Sequence, residues 1–299
     1  IIVNDGGLEN SSLGEILPII GLYVFAAYKI QPSLQHIFHG ITSLKYGQSI
    51  TNNLFNDLSN AKRKEKVENF KKNILTFSST FSLDNVSFTY QNSEKPSLNS
   101  ITLDIETGQS VGIVGTTGSG KTTLVDIILG LLSPTDGNVL VDGVKLNASN
   151  KSEWQNLLGY VPQEIVLNDS TISENIALGI EEELIDLDQV QKCAEQAQIH
   201  DFIVGDLSFG YKTVVGERGI RLSGGQRQRI GIARALYHNP KVLVFDEATS
   251  ALDLETEKVV MNAIRSLSND KTIITVAHRL STLKYCDKIV TIEKGRVKR

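Results

Sequence analysis

Gly115-Thr116-Thr117-Gly118-Ser119-Gly120-Lys121-Thr122 decides the fold of this chain. The run follows Ser110–Val114, a short apolar stretch that reads as a strand, and precedes Lys121–Leu132, which reads as a helix stopped before Pro134. It matches G-x-x-x-x-G-K-[ST] in the strand-to-helix context that such a match needs. Glycines let the backbone wrap closely round phosphate groups, and amides at a helix N-terminus point at negative charge. Lys121 would reach the β- and γ-phosphates of a nucleoside triphosphate, and the Thr122 hydroxyl would hold Mg2+. Gly115 to Thr123 are therefore the expected nucleotide contacts.

Working outward, Leu83–Tyr90 and Ile101–Ile105 alternate apolar and polar residues as half-buried antiparallel strands do. Asp136-Gly137 and Asp142-Gly143 punctuate another strand pair. Val242–Phe245 and Thr272–Val276 are apolar strands, each followed by a polar loop and a helix. Strands alternating with helices around a phosphate loop imply an α/β fold with a mainly parallel sheet and its ligand at the C-terminal edge.

Val242-Leu243-Val244-Phe245 ends in Asp246-Glu247. A buried strand has no use for adjacent acids unless a cation or a reaction is near. Asp246 fits a Mg2+ environment, directly or through water, and Glu247 fits a general base for an attacking water. In isolation the pair would read as a helix cap. Beside a phosphate loop it reads as catalytic.

Leu222-Ser223-Gly224-Gly225-Gln226-Arg227-Gln228-Arg229 resembles the signature of ATP-binding cassette (ABC) proteins, and further family elements follow the family order. Tyr90 resembles the aromatic that stacks on adenine. Gln163, in Tyr160-Val161-Pro162-Gln163, resembles the Q-loop glutamine that senses Mg2+ and the membrane domain. Ser250-Ala251-Leu252-Asp253 resembles the D-loop, and His278 the switch histidine at the γ-phosphate. Singly these read as a strand aromatic, a turn glutamine, a helix cap and a core histidine; together and in order they carry the resemblance. It implies a P-loop NTPase of ABC type, with an antiparallel β subdomain and a helical subdomain beside the parallel core. It also implies ATP and Mg2+ as cofactors. Ser223 and the amides of Gly224 and Gly225 open a helix, a second anion-binding terminus. In the family this terminus, with Gln226, meets ATP held by an opposite subunit. One phosphate loop and one signature per chain imply a second ABC subunit, and a homodimer is the economical arrangement.

Leu13–Ile30 is mostly apolar on all sides, with Glu15 and Lys29 near its two ends, and lies near the lower limit of the about 17–25 residues that span a bilayer. A buried helix of a soluble domain fits the length as well. Asp5 and Glu9 precede the run while Lys29 sits at its C-terminal end and Lys45 beyond it, which puts the C-terminal side in the cytoplasm. Leu34, Ile37, Phe38, Ile41 and Leu44 then follow helical spacing, so residues 33–60 read as a cytoplasmic extension. Lys62, Arg63, Lys64, Lys66, Lys71 and Lys72 raise a lipid-headgroup reading, but the interleaved Glu65 and Glu68 favour a solvated linker over 61–80. The expected organisation is membrane-domain segment over 1–60, linker over 61–80 and nucleotide-binding domain over 81–299. The chain opens at Ile1 and its one methionine is Met261, which suggests a piece of a longer protein.

Thr213-Val214-Val215-Gly216-Glu217-Arg218-Gly219 resembles the T-x-x-G-E-x-G segment of exporter-type cassettes. Span before cassette is also the order of exporter half-transporters, which carry six spans; the run at 13–30 would be the sixth and the rest would be partners. Inner-membrane localisation with membrane lipid around the span and a cytoplasmic ATPase follows from the resemblance. Phe25-Ala26-Ala27-Tyr28 through Pro32-Ser33-Leu34-Gln35 resembles bacterial exporters that flip lipid-linked glycans. Multidrug, lipid or peptide export, and a soluble ABC ATPase switch, are the competing readings. A net charge of −4 gives no field for bulk nucleic-acid binding. Cys193 and Cys286 lie in no metal-ligand spacing and read as buried structural residues.

Overall fold

The computed structural model describes residues 9–65, 75–248, 254–277 and 283–298, apart from 92, 94 and 269. The chain divides into two compact units, Ile1–Glu68 and Asn69–Arg299. In the first, α1 (Glu9–Glu65) is one helix of 57 residues with Pro18 and Pro32 inside it. The run at 13–30 and its extension at 33–60 lie on this one helix, which passes through Pro32. A proline removes one N–H and crowds one carbonyl, and a long helix can continue past that local defect. Within α1, Ile16–Ser59 is long and apolar enough to cross a membrane by length and composition. Ile19, Leu22, Phe25 and Leu34 are each more than half exposed on it. The lysines at 66, 71 and 72 lie outside the described residues, as do the side chains of 62–64.

The second unit holds two sheets. Its strands are β1 (Thr80–Phe88), β2 (Leu98–Glu106), β3 (Ser110–Gly115), β4 (Asp136–Val141), β5 (Val144–Lys145), β6 (Leu158–Val161), β7 (Val242–Asp246), β8 (Thr272–Val276), β9 (Lys288–Glu293) and β10 (Arg296–Lys298). An antiparallel sheet has the order β2-β1-β4-β5, and the main sheet the order β10-β9-β3-β8-β7-β6. In the main sheet β9, β3, β8, β7 and β6 run parallel, and β10 pairs antiparallel at the edge. Its helices are α2 (Lys121–Ile128), α3 (Lys151–Asn156), α4 (Ile172–Ile176), α5 (Leu187–Gln196), α6 (His200–Gly205), α7 (Gly224–Leu236) and α8 (Leu254–Leu267).

Every residue of β8, and all of β7 up to Phe245, is buried, as expected of central parallel strands covered on both faces. The two-residue period sorts their side chains into two cores. Val242, Val244, Ile274 and Val276 pack with α2 and the antiparallel sheet. Leu243, Phe245 and Ile273 pack with the helical layer of α4, α5 and α7. The parallel sheet is thus the middle layer, and β2, which alternates buried and exposed residues, covers one side only.

Helix α2 stops at Ile128, short of the expected Leu132. Gly130 takes φ +66°, and its N–H bonds the Ile127 carbonyl at 3.0 Å while that of Leu131 reaches back to Asp126 at 2.8 Å. This left-handed glycine closure ends the helix before Pro134 can act.

The folded unit also reaches further back than the linker reading allowed. Leu75 and Phe77 are buried, and Phe77 meets the buried Trp154 edge to face at 5.7 Å while Phe81 stacks on it at 5.1 Å. The Leu75 N–H donates to Glu153 Oε2 at 2.9 Å. Asp142 accepts from the N–H groups of Ser78, Ser79 and Thr80 at 2.8, 2.8 and 2.9 Å, and from the Ser78 hydroxyl at 2.9 Å. Burial pushes the Asp142 carboxyl up, but these hydrogen bonds outweigh it and hold it below the ordinary carboxylate value. A depressed folded-state pKa contributes stability above the unfolded pKa and loses it as pH falls through the folded value. Asp142→Asn, which tolerates the same left-handed backbone (φ 48°), should therefore cost about 1–2 kcal/mol at neutral pH. Urea melts of the detergent-solubilised chain should show the two curves converging as the pH drops below the carboxylate range.

Candidate nucleotide-binding site

Strand β3 enters the loop from between β8 and β9, with Ile113 opposite Val276 and Gly115 opposite Ile292. A Cβ on Gly115 would stand 2.3 Å from the Ile292 carbonyl. The loop closes with Ser119 N–H on the Thr116 carbonyl at 3.1 Å, and Gly118 takes φ +76°. Gly120 then caps α2 at φ +105°, with no side chain to occupy the first-turn amides. Those amides are left for an anion. Lys121 is 6% exposed, and its ammonium donates to the carbonyls of Gly115 and Thr116 at 2.9 and 3.2 Å. Ser119 Oγ is buried without a hydrogen-bond partner. Uncapped amides, a buried cation and an orphaned hydroxyl around one glycine-rich turn fit a polyphosphate. Thr116, Thr117 and Thr122 are exposed on the same turn.

Tyr90 stands just beyond β1. Its ring meets Phe88 edge to face at 4.9 Å, and its hydroxyl lies 3.3 Å from Thr123 Oγ1 on α2. At 44% exposed, the ring keeps area for stacking on a planar base beside the loop.

At the end of β7, separated from β3 by β8, Asp246 is half-buried, and burial pushes its carboxyl up, helped by the charges of Glu247 and Asp126 and opposed by Tyr160 and Lys121. Glu247 holds φ 49°, a left-handed backbone for a non-glycine residue, with its N–H on the Val276 carbonyl at 3.0 Å. Such outliers persist where surrounding structure over-determines them, and they cluster at functional sites. Tyr160 donates to Asp246 Oδ2 at 3.3 Å. Burial first, then the negative charges of Asp246 and Asp126, push its phenol up to about 12. Among the described residues no cluster of three or more His, Cys, Asp or Glu could hold a metal by itself. Mg2+ asks less than that, taking one or two carboxylates or hydroxyls and completing its shell with substrate phosphates and water. Thr122 and Asp246 fit that role.

Ser223 is the N-cap of α7. Its hydroxyl accepts the Gln226 N–H at 3.2 Å, and Gln226 Oε1 accepts the Ser223 N–H at 2.7 Å. Gly225 is buried, and a Cβ there would meet Thr256 Cγ2 at 2.0 Å, so α7 and α8 pack without room for a side chain. Helix α7 packs on α4, α5, α8 and β6. Gln163 is exposed past the end of β6 and lines, with Glu217 and Gly224, a cavity of about 830 Å³. The sequence had linked these three only through family likeness. Asp253 and His278 lie outside the described residues.

Tyr160 and Asp126 were not singled out from the sequence, where both look like ordinary strand and helix residues. Ser97 and Gly295, whose backbones press on the loop, carried no signal beyond a turn glycine.

The unit is by its geometry a P-loop nucleotide-binding domain carrying a helical layer with its own glycine-opened helix. The ABC transporter family model matches residues 98–250. The Staphylococcus aureus (strain NCTC 8325) protein named for multidrug export as an ATP-binding/permease protein is 45% identical over 215 residues, which cover 72% of this chain and 37% of that protein. The leukotoxin translocation ATP-binding protein LktB of a Pasteurella haemolytica-like species is 45% identical over 213 residues, covering 71% and 30% respectively. A bacterial Atm1-family ABC exporter solved with ATP bound superposes with TM-score 0.69 at 36% identity, over 78% of this chain and 41% of that one. The chain belongs to the ABC transporter family, and it spans well under half the length of these relatives.

Gly120→Ala tests the cradle. Its Cβ would enter at φ +105° and lie 2.6 Å from the Ser97 carbonyl, a combined strain and overlap of about 1–3 kcal/mol. A fluorescent ATP analogue should bind about tenfold or more weakly, read by titration.

Proposed function

We propose that this chain is the ATP-binding and ATP-hydrolysing part of an exporter that moves an amphipathic substrate outward. The observation that carries the reading is the pairing of the uncapped loop around Lys121 with two carboxylates at the end of β7, in the same parallel sheet. Tyr90 would stack on the adenine, the amides of Gly118 to Thr123 and the Lys121 ammonium would hold the phosphates, and Thr122 and Asp246 would hold Mg2+. Bound Mg2+ supplies charge neutralisation at the β- and γ-oxygens. Gln163 would face the metal and the attacking water. Glu247 would take the proton of that water, its orientation pinned by the left-handed backbone and the bond to Val276. His278 would contact the γ-phosphate, and Asp253 the opposite subunit.

Within one chain the signature helix packs into the helical layer while the loop packs against β9 and the start of β2. That separation supports a head-to-tail pair of subunits, in which Ser223, Gly224, Gly225 and Gln226 act on ATP held by the second copy. The apolar surface of α1 supports a membrane-embedded first unit, with further spans of the same exporter around it and the ATPase in the cytoplasm. The same surface disfavours a soluble ATPase switch. Relatives named for multidrug export and leukotoxin translocation support export as the direction. Hydrophobic drugs and lipid-linked glycans are both amphipathic substrates of the proposed class; stimulation of ATPase in liposomes by one of them would separate a drug exporter from a flippase.

Glu247→Gln should keep ATP affinity and slow hydrolysis at least about 100-fold, the usual loss with a general base; normal turnover would remove Glu247 from that role. Lys121→Ala should weaken ATP binding itself in the same titration, and an unchanged affinity would end the loop assignment.

A further inference from the structure

We infer that Tyr160 is a positioning residue for the cation site, holding the Asp246 carboxylate in place through its phenol and tying the strand that leads to Gln163 to the strand that carries the acids. The inference rests on the reading of Asp246 as a Mg2+ residue.

The argument begins with the sheet ladder. β6 is the edge strand, and its parallel pairing with β7 ends at Val161 opposite Phe245. Asp246 is paired on the β8 side only, opposite Val276. Its side chain therefore sits where half of the backbone support has run out. Tyr160 lies opposite Val244, and Asp246 is two residues beyond Val244 on the same face by the two-residue period. That face looks toward α2, which brings Asp126 close enough to act electrostatically on both Tyr160 and Asp246.

The choice of a phenol then has a physical reason. Asp246 already feels Glu247 and Asp126 as like charges and Lys121 as an opposite one. A second ammonium would compete with a bound cation for the same carboxylate. A carboxylate would repel it, and an aliphatic side chain would leave it unanchored. A neutral O–H donor orients the group without changing the charge of the site. The Tyr160 hydroxyl uses Oδ2, while Oδ1 makes no hydrogen bond among the described residues. An outer-shell donor of this kind fixes a ligand's orientation, and its loss typically costs about 10–100-fold in metal affinity.

Tyr160→Phe in the full chain removes the donor and keeps the ring. Two quantities are measured: ATP affinity in EDTA by fluorescence titration, and Mn2+ affinity of the ATP complex by electron paramagnetic resonance, with Mn2+ standing in for Mg2+. The expected result is metal-free ATP affinity within about twofold of the parent and Mn2+ affinity down about tenfold, at the lower end for an outer-shell partner. Unchanged Mn2+ affinity overturns the inference. So does an equal loss in both measurements, which marks Tyr160 as structural support for the whole loop. Asp246→Asn separates the inference from the reading beneath it. If Asp246→Asn lowers Mn2+ affinity and Tyr160→Phe does not, only the role of Tyr160 fails. If Asp246→Asn leaves Mn2+ affinity intact, the cation reading of Asp246 fails with it. The double variant should bind Mn2+ no more weakly than Asp246→Asn alone, because the phenol acts through that carboxylate.

Discussion

Three backbone segments, the phosphate loop among them, meet at two glycines that leave no room for a side chain of their own, and the geometry of the whole nucleotide face depends on that junction. The Asn99 N–H reaches the Gly295 carbonyl at 2.7 Å, and the Gly295 N–H reaches the Ser119 carbonyl at 2.9 Å. A Cβ on either Gly120 or Gly295 would lie 2.6 Å from the Ser97 carbonyl, and both glycines hold positive φ. The junction joins the start of β2, the β9–β10 turn and the loop itself. It thereby locks the antiparallel sheet to the parallel one at the point where α2 begins. Because α2 starts there, its uncapped amides, Lys121 and Asp126 have fixed places relative to the strand ends.

Those strand ends are held by a second constraint, the double-sided burial of β7 and β8. Apolar residues on both faces leave the strands no freedom to slide, since a one-residue slip would exchange the two cores. The acids at positions 246 and 247 are carried to the sheet edge by that packing rather than by attraction to anything there. They meet unfavourable surroundings: burial and like charges act on Asp246, and Glu247 adopts a backbone that costs about 1–3 kcal/mol. The hydrophobic layers stabilise the strands enough to sustain both penalties. Tyr160 relieves one of them with a neutral hydrogen bond.

What the sequence disclosed follows the same division. The loop, its strand and the start of its helix were legible because glycine, lysine and threonine at that spacing answer one chemical need in a local context. The paired antiparallel strands were legible from their alternation. The end of α2 was not, because Pro134 is a conspicuous stop while Gly130 acts only once its left-handed closure forms. The C-terminal end of the linker stretch was not legible for a related reason: the basic run before it suggested solvent, while Leu75 and Phe77 are buried and Phe77 meets Trp154, which is remote in sequence. Tyr160 was invisible in principle. Its nearness to Asp246 arises only when β6 and β7 become neighbours, and strand order is a property of the whole sheet.

The signature helix shows how far one chain explains its own residues. Ser223 and Gln226 satisfy each other's backbone groups in a capping box, so helix stability alone accounts for both. Gly225 is required by the close approach of Thr256. The box uses the Ser223 oxygen as an acceptor and leaves its O–H as a donor, beside the exposed Gly224 at the first turn. A helix N-terminus that satisfies itself from the side and offers its remaining donors outward is suited to an anion arriving from outside the subunit. Satisfying Ser223 and Gln226 within the chain keeps that terminus formed before any partner arrives. In the proposed head-to-tail pair, the second copy would meet an already formed helix terminus and spend little ordering entropy in closing on it.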